Sequence, residues 1–334
     1  MKNNMSIKIV FMGTPEFASQ ILKRIYEDRV TSDYHIAACV TQPDKPSGRK
    51  MRLTASPVKQ MAVEYEIPVL QPVSVRTESF CNDLLAIAPD IVITAAYGKI
   101  LPLRILDIPK YGCLNVHGSL LPRYRGAAPV QWAIINGEKR SGVTIIKMDP
   151  GMDTGDILSK RSIEIEQEMN AEDLMDKLGN LGAELLSETL PGYIRGEIVP
   201  VAQCEEEASK APLIMREQAC IDWGKSAGQV NNLIRGMIIW PGAFTFYKEQ
   251  RLKIYQAEPA MNFLELIDEF TNRYGAPLPG TILRTSDGTL DVLCGENTVL
   301  KIQNLQLQSS KRMMARDCAH NYMIGEMLGL EVTG

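Results

Sequence analysis

The chain has 334 residues, a net charge of −4 and a hydrophobic content of 45%, values that are ordinary for a soluble globular protein. This length exceeds the usual size of a single hydrophobic core, so we expect two domains. The mildly acidic balance argues against binding of nucleic acid through net charge alone, so such a partner would need local basic patches. Seven cysteines without C-x-x-C spacing indicate free thiols in a reducing cytosol and exclude a disulfide framework or a zinc site.

The first 198 residues alternate strand and helix signals. Ser56-Pro57 marks the start of one helix, and Asn170 is the expected cap of a long helix from Ala171 to about Ile194. Strands that alternate with helices predict an α/β domain with a doubly wound, mostly parallel sheet. The start of the chain is too short and too charged for a signal-peptide core, and no segment is long enough to span a bilayer, so we expect a cytoplasmic protein. The strands are expected in the apolar runs IKIVFMG, HIAACVTQ, DIVITAAYG and CLNVHG.

The signals change in the second half of the chain. Residues 199–212 are acidic and aperiodic, which predicts a linker. Beyond it, residues 213–334 contain a predicted helix, a hairpin that turns at Glu249-Gln250, and three further short strands. Residues 262–274 are typical of a helical insertion between two of these strands. A second, smaller domain with a β-barrel of the OB type is therefore expected.

An amide and an imidazole lie two residues apart in this chain. Asn115 and His117 fall on a predicted strand, so their side chains leave the same face. Gly118 and Ser119 follow, which puts the pair near the carboxyl end of the strand, where open α/β sheets bind ligands. These groups suit the stabilisation of an oxyanion and the movement of a proton. The alternative is a histidine buried in the core beside an asparagine that caps a turn.

The segment MDPGMDTGD places three carboxylates on a glycine-rich loop between two predicted strands. The glycines at 151 and 155 would let the backbone approach a ligand closely. Calcium loops also concentrate aspartates, but the glutamate that ends an EF-hand ligand series is missing, and we predict no metal. A plain turn is the other alternative. The carboxylates belong to Asp149, Asp153 and Asp156.

The connection from Thr41 to Leu53 is long and basic. A basic loop near the ligand-binding edge suits a phosphate-bearing partner, although a solvated loop is the alternative. The preceding FMGTPEF lacks the G-x-G-x-x-G spacing, so a dinucleotide cofactor is not expected. The charged residues of the loop are Lys45, Arg49, Lys50, Arg52 and the single acid Asp44.

The residues at this point carry a resemblance to a known family. NVHGSLLPRYRGAAPVQWAI and GVTIIKMDPGMDTGDIL resemble the signature of formyltransferases that use 10-formyltetrahydrofolate. FMGTPEFA, AAYGKILP and the distal IDWGKSAGQVNNLIRG are similar to the methionyl-tRNA formyltransferases, and the resemblance covers nearly the whole chain. It implies a Rossmann-like formyltransferase domain over residues 1–198, the linker over 199–212, and an OB-like tRNA-binding domain over 213–334.

The resemblance also implies an activity. We expect an enzyme that moves a formyl group from the co-substrate 10-formyltetrahydrofolate to the α-amino group of methionine on initiator methionyl-tRNA, as translation initiation requires. We also expect a monomer without a metal. The implied residues are Asn115, His117 and Asp153 for catalysis, Ser119, Leu120, Leu121 and Pro122 for folate binding, and Arg49 for the tRNA acceptor end.

Two other functions remain open at this stage. A formyltransferase for an amino-sugar nucleotide would share the catalytic core, but the second domain and the basic loop argue against it. A catalytically silent RNA-binding relative would not need the Asn115, His117 and Asp153 set, which is intact.

Overall fold

The computed structural model describes residues 6–47, 52–261, 263–285 and 288–329. The chain forms two compact units. The first comprises Met1–Pro129, Arg140–Glu164 and Asp173–Pro212, and the second comprises Val130–Lys139, Ile165–Glu172 and Leu213–Gly334. The two units are therefore not divided at one position in the chain, because two short segments of the first half belong to the second unit.

The strands are numbered in chain order. They are β1 (Ile7–Gly13), β2 (Tyr34–Val40), β3 (Lys45–Ser47), β4 (Arg52–Thr54), β5 (Val69–Leu70), β6 (Ile91–Ala95), β7 (Cys113–His117), β8 (Arg140–Lys147), β9 (Asp156–Glu164), β10 (Phe244–Tyr247), β11 (Gln250–Pro259), β12 (Ile282–Arg284), β13 (Leu290–Cys294), β14 (Thr298–Leu307) and β15 (Met313–Met314).

The helices follow the same order. They are α1 (Glu16–Ser32), α2 (Pro57–Glu64), α3 (Glu78–Ile87), α4 (Leu103–Leu106), α5 (Pro129–Ile135), α6 (Ala171–Ile194), α7 (Ala227–Gly236), α8 (Leu264–Tyr274) and α9 (Ala315–Cys318). Of the helices among the described residues, none has the length and apolar character needed to cross a membrane.

The first unit is built on one sheet with the strand order β5-β2-β1-β6-β7-β8-β9. The strands from β5 to β7 pair in parallel, whereas β8 and β9 are antiparallel. The central strands are nearly continuous in apolar residues because helices cover both faces of such a sheet. This architecture confirms the predicted doubly wound, mostly parallel α/β fold.

Side-chain caps decide where two helices of the chain begin. Ser56 accepts a hydrogen bond from the backbone N–H of Lys59 at 3.1 Å, and Pro57 takes the first helical position of α2. Asn170 accepts one from the N–H of Glu172 at 2.8 Å, directly before α6. Both helix starts agree with the sequence predictions, since these side chains satisfy backbone donors that a helix end leaves unpaired.

The second unit contains an antiparallel sheet with the order β10-β11-β14-β13-β12, and β15 pairs with β14. Helix α8 lies between β11 and β12 in the chain, at the predicted insertion. The β10–β11 hairpin turns at Lys248 and Glu249, one residue before the predicted position. Both residues have positive φ, 47° and 63°, as a two-residue turn with the twist of a hairpin requires.

Candidate functional site

Asn115 and His117 lie on β7, the strand at which the sheet changes from parallel to antiparallel pairing. Their spacing of two residues puts both side chains on one face, as predicted. The His117 residue is buried, with 6% of its surface exposed, and Asn115 is half-buried. The strand therefore presents an amide and an imidazole side by side at its carboxyl end.

The carboxylate of Asp153 meets both of these groups. Asn115 Nδ2 lies 3.4 Å from Asp153 Oδ1, and His117 Nδ1 lies 3.6 Å from the same oxygen. The Asp153 side chain is 16% exposed. The structure thus brings Asp153, which lies 38 residues after Asn115, to the other two residues with which it was predicted to act.

Neighbouring groups fix which atoms of the amide and the imidazole face Asp153. Thr94 Oγ1 lies 2.8 Å from Asn115 Oδ1, which leaves the NH2 end of the amide toward the carboxylate. His117 Nε2 lies 3.0 Å from the carbonyl oxygen of Tyr124. A carbonyl only accepts hydrogen bonds, so Nε2 carries a hydrogen, and Nδ1 is the nitrogen that faces Asp153.

Asp153 belongs to the loop of residues 148–155, which we call the Asp153 loop. The backbone of Asp153 has a φ of 56°, which lies in the left-handed region that residues other than glycine seldom adopt. Its second carboxylate oxygen, Oδ2, accepts a hydrogen bond from the backbone N–H of Gly126 at 2.9 Å. Gly126 has a φ of 126°, and a Cβ there would lie 2.5 Å from the carbonyl oxygen of Ala211. Only glycine fits at this position.

The other two aspartates of the segment have different surroundings. Asp149 accepts hydrogen bonds from the Thr154 hydroxyl at 2.7 Å and from the N–H of Gly151 at 3.1 Å, so it closes the turn. Asp156 is exposed at the start of β9. Among the described residues, no three His, Cys, Asp or Glu side chains are grouped so that they could hold a metal ion.

The predicted folate-binding segment follows β7 and packs inward. Ser119 and Leu121 are buried, with 1% and 0% of their surfaces exposed. The Ser119 hydroxyl donates to the carbonyl oxygen of Arg123 at 2.7 Å, and the N–H of Leu121 donates to the Thr144 hydroxyl at 3.0 Å. Leu120 is half-buried, Pro122 is buried, and the bond between Leu121 and Pro122 is cis.

Two residues next to the site were not indicated by the sequence. Thr94 orients the Asn115 amide but lies inside an apolar strand, where a lone threonine carries no signal. Gln203 donates from Nε2 to the carbonyl oxygens of Asp153 and Gly155 at 2.8 and 2.7 Å. It lies in the segment 199–212 that was predicted as a linker, where polar residues are expected to be solvated.

An ion pair lies beside Gln203. The two terminal nitrogens of Arg125 donate to the two carboxylate oxygens of Glu205, at 2.9 and 2.8 Å. These hydrogen bonds lower the pKa of the Glu205 carboxyl and raise the pKa of Arg125.

Cys113 is buried at the start of β7, and this burial raises the pKa of its thiol to about 12. All seven cysteines are free thiols, as predicted.

The predicted tRNA-binding residue Arg49 lies outside the described residues. The base of its loop is described, because β3 and β4 pair as a short antiparallel hairpin. Directly before β3, Asp44 accepts hydrogen bonds from Lys59 Nζ at 2.6 Å and from Gln71 Nε2 at 2.8 Å. These two bonds lower the pKa of Asp44. Contact of this loop with tRNA stays a prediction.

Comparison with known proteins covers both units. A family described as "Formyl transferase" matches residues 7–190, and "Formyl transferase, C-terminal domain" matches residues 213–322. The chain is 49% identical over 320 residues to the methionyl-tRNA formyltransferase of Caldanaerobacter subterraneus subsp. tengcongensis, with 96% of this chain and 97% of the relative covered. It is 47% identical to that of Acetivibrio thermocellus, with 97% and 100% covered.

Solved structures share the fold at lower identity. The N-formyltransferase from Helicobacter canadensis, in complex with folinic acid and dTDP-3-aminofucose, superimposes with a TM-score of 0.61 at 18% identity and covers 89% of this chain and 98% of its own. The methionyl-tRNA formyltransferase from Clostridium thermocellum gives 0.52 at 20% identity, with 75% and 93% covered.

Proposed function

Because this chain belongs to the methionyl-tRNA formyltransferase family, we propose that the site formed by Asn115, His117 and Asp153 carries out the reaction of that family. The protein is an enzyme that transfers a formyl group from 10-formyltetrahydrofolate to the α-amino group of methionine on initiator methionyl-tRNA. The product is N-formylmethionyl-tRNA.

One observation carries this assignment. Asn115 Nδ2 and His117 Nδ1 both face a single oxygen, Oδ1 of Asp153, at 3.4 and 3.6 Å, and Nδ1 is a donor when both ring nitrogens carry hydrogen. Charge-assisted hydrogen bonds are shorter, about 2.7–2.9 Å, so neither donor is committed to a strong bond. Both therefore retain the capacity to bind a substrate oxygen that lies between them.

The chemistry needs such a pair of donors. The lone pair of the methionine amine attacks the formyl carbon, and the carbonyl electrons move to the formyl oxygen, which becomes negative. The Asn115 NH2 group and a proton on His117 Nδ1 would stabilise that oxygen, and the loss of one such donor costs about 10²–10³ in rate. When the carbonyl re-forms, the bond from carbon to the folate nitrogen breaks and the formamide is complete.

Two protons must also move. The attacking amine loses one, and the leaving folate nitrogen gains one. Because Nε2 of His117 is bound to the Tyr124 carbonyl, Nδ1 is the nitrogen at which a proton is exchanged, with Asp153 Oδ1 as its neighbour. We propose that Asp153 accepts the amine proton, directly or through water, and that it is relayed to the leaving group. No covalent intermediate is needed.

We propose binding sites for the two substrates on the same basis. Residues 119–122 follow His117 directly, and because the Ser119 and Leu121 side chains face inward, folate would contact mainly the backbone of this segment. Arg49 would contact the tRNA acceptor end, and the second unit would supply further phosphate contacts. Binding of tRNA through local basic groups predicts that activity falls steeply as salt is raised.

We further propose that the enzyme acts as a monomer in the cytoplasm. Asn115, His117 and Asp153 meet within a single chain, so the proposed catalysis needs no residue from a second copy. Aminoacylated tRNA is the substrate of translation and seven free thiols suit a reducing compartment, which supports the location. Light scattering coupled to size exclusion at micromolar concentration tests the first statement, and a mass of twice 37.1 kDa would contradict it.

The decisive experiment offers the purified protein 10-formyltetrahydrofolate together with either initiator methionyl-tRNA or an amino-sugar nucleotide. We expect formylation of the tRNA only. Transfer to the sugar alone would overturn the proposed function. An Asp153→Asn variant with normal turnover on tRNA would leave the function intact and overturn the role of Asp153.

A further inference from the structure

We propose that Gln203 is a positioning residue, which holds the Asp153 loop in the conformation that catalysis requires. The inference rests on the proposed role of Asp153. The side-chain NH2 group of Gln203 donates to the backbone carbonyls of Asp153 and Gly155, at 2.8 and 2.7 Å. Both hydrogens of the amide are thus used on the loop, on either side of Thr154.

The acceptor end of the same amide is held as well. Gln203 Oε1 accepts a hydrogen bond from Arg125 Nε at 3.0 Å, and the remaining nitrogens of Arg125 bind Glu205. The Arg125 side chain is 11% exposed. Its neighbour Gly126 binds Oδ2 of Asp153. The backbone of Asp153 is therefore held by Gln203, its carboxylate by Gly126, and the two holders are linked through Arg125.

The segment that carries Gln203 is anchored independently of that side chain. Before it, Val201 and Ile157 exchange two backbone hydrogen bonds, at 2.8 and 2.9 Å. After it, the N–H of Arg125 donates to Ser209 at 2.8 Å, and the N–H of Ala211 donates to Arg125 at 2.7 Å. Removal of the Gln203 amide should leave this segment in place, so its effect is separable from folding.

Asp153 needs external support because its backbone is in the left-handed region, with a φ of 56°. Without Gln203 the loop would be free to relax toward commoner conformations, and the carboxylate would move relative to β7. A catalytic group displaced by about 1 Å can lose about 10²-fold in rate. Loss of the two hydrogen bonds from Gln203 to the Asp153 loop should therefore reduce turnover more than substrate binding.

The test replaces Gln203 with methionine, which has a similar size and no charge but cannot donate these bonds. We expect kcat with methionyl-tRNA to fall by about 10- to 100-fold, with KM changed by less than about threefold. The matched control is Gln167→Met, the same change at an exposed glutamine of the second unit, which should leave kcat unchanged. Thermal unfolding of both variants checks that they are folded.

A double variant tests whether Gln203 acts through Asp153. In an Asp153→Asn background, we expect Gln203→Met to reduce kcat by less than about threefold further, because residues that act as one unit are not additive. An equal loss in both backgrounds, or an unchanged kcat in the single variant, would overturn the inference. If the unsubstituted protein does not formylate methionyl-tRNA at all, the proposed function fails instead.

Discussion

Two parts of the candidate site are held in place by different means. Asn115 and His117 lie on β7, where hydrogen bonds to β6 and β8 define the position of each residue. Asp153 lies on a loop with an unusual backbone and is held by single contacts from Gly126 and Gln203. The sheet therefore provides a rigid platform for the two donors, whereas the carboxylate depends on contacts from segments that are distant in sequence.

The segment 199–212 makes contacts that support both parts of the site. Besides Gln203, it contributes Ser209, whose hydroxyl accepts from the N–H of Tyr124 at 2.9 Å. The carbonyl of Tyr124 in turn accepts from His117. A stretch that connects to the second unit thus supports both the imidazole and the carboxylate. Removal of the Asn115 amide should therefore affect catalysis far more than stability, whereas a backbone change on the loop side, such as one at Gly126, should affect both.

The largest effect is expected on the strand side. Asn115→Ala removes one donor and should reduce kcat by about 10²–10³-fold, while the melting temperature stays close to that of the unsubstituted protein. Asn180→Ala, an exposed asparagine on α6, is the control and should be neutral. Steady-state kinetics with methionyl-tRNA measures this, and a loss below about threefold would remove Asn115 from the proposed mechanism.

Gly126→Ala addresses the loop side. A Cβ at this position would lie 2.5 Å from the Ala211 carbonyl oxygen. The control is Gly196→Ala, because Gly196 also has a positive φ, 75°, but has open space around it. We expect Gly196→Ala to cost about 1–2 kcal/mol of unfolding free energy and Gly126→Ala to cost at least about 1 kcal/mol more.

The activity of Gly126→Ala should fall as well, by about tenfold or more, because the donor to Asp153 Oδ2 is displaced. Chemical denaturation and kcat are measured on the same samples. Equal stability of the two glycine variants would show that the backbone around Gly126 is softer than its contacts indicate.

Thr94→Val tests how much the strand side relies on an oriented amide. The change removes the hydroxyl next to Asn115 Oδ1 and should reduce kcat by about three- to tenfold, with about 1 kcal/mol of lost stability. Thr189→Val, a buried threonine on α6 that donates to Leu185, should cost similar stability without loss of kcat. A fully active Thr94→Val enzyme would mean that Asn115 is oriented without it.

The smallest effect concerns Glu205. Arg125 lowers its pKa below the ordinary 4.5, so the carboxylate stabilises the folded state above that pH, and the contribution is lost as pH falls through the lowered pKa. Glu205→Gln should lower the melting temperature slightly at pH 7 and change kcat by less than about twofold, since Glu205 is exposed. The difference in melting temperature between this variant and the unsubstituted protein should vanish in acid.

Glu207→Gln carries the same charge change in the same segment and serves as the control. It should show no such convergence with pH. A Glu205→Gln variant that loses stability equally at pH 7 and in acid would indicate a role for packing, not for the ion pair with Arg125.

Much of the architecture was predictable because it is local. Apolar runs flanked by helix caps predicted the strands and helices of the first unit, and Ser56 and Asn170 predicted two helix starts correctly. The two-residue spacing of Asn115 and His117 predicted a shared face. The predicted position of the hairpin turn was one residue too late, because two residues with positive φ, neither of them glycine, have no clear signature in the sequence.

The sequence by itself determined the order of the elements, the family and the set of groups available for chemistry, since periodicity, caps and motifs act over short distances. The tertiary structure alone decided how those groups are oriented. Only folding brings Thr94, Tyr124, Gly126 and Gln203 against the three site residues, and the single hydrogen bonds that they make leave no pattern in the chain. A polar stretch that resembles a linker thus becomes a support for the site, because its partners lie 50 and 85 residues earlier.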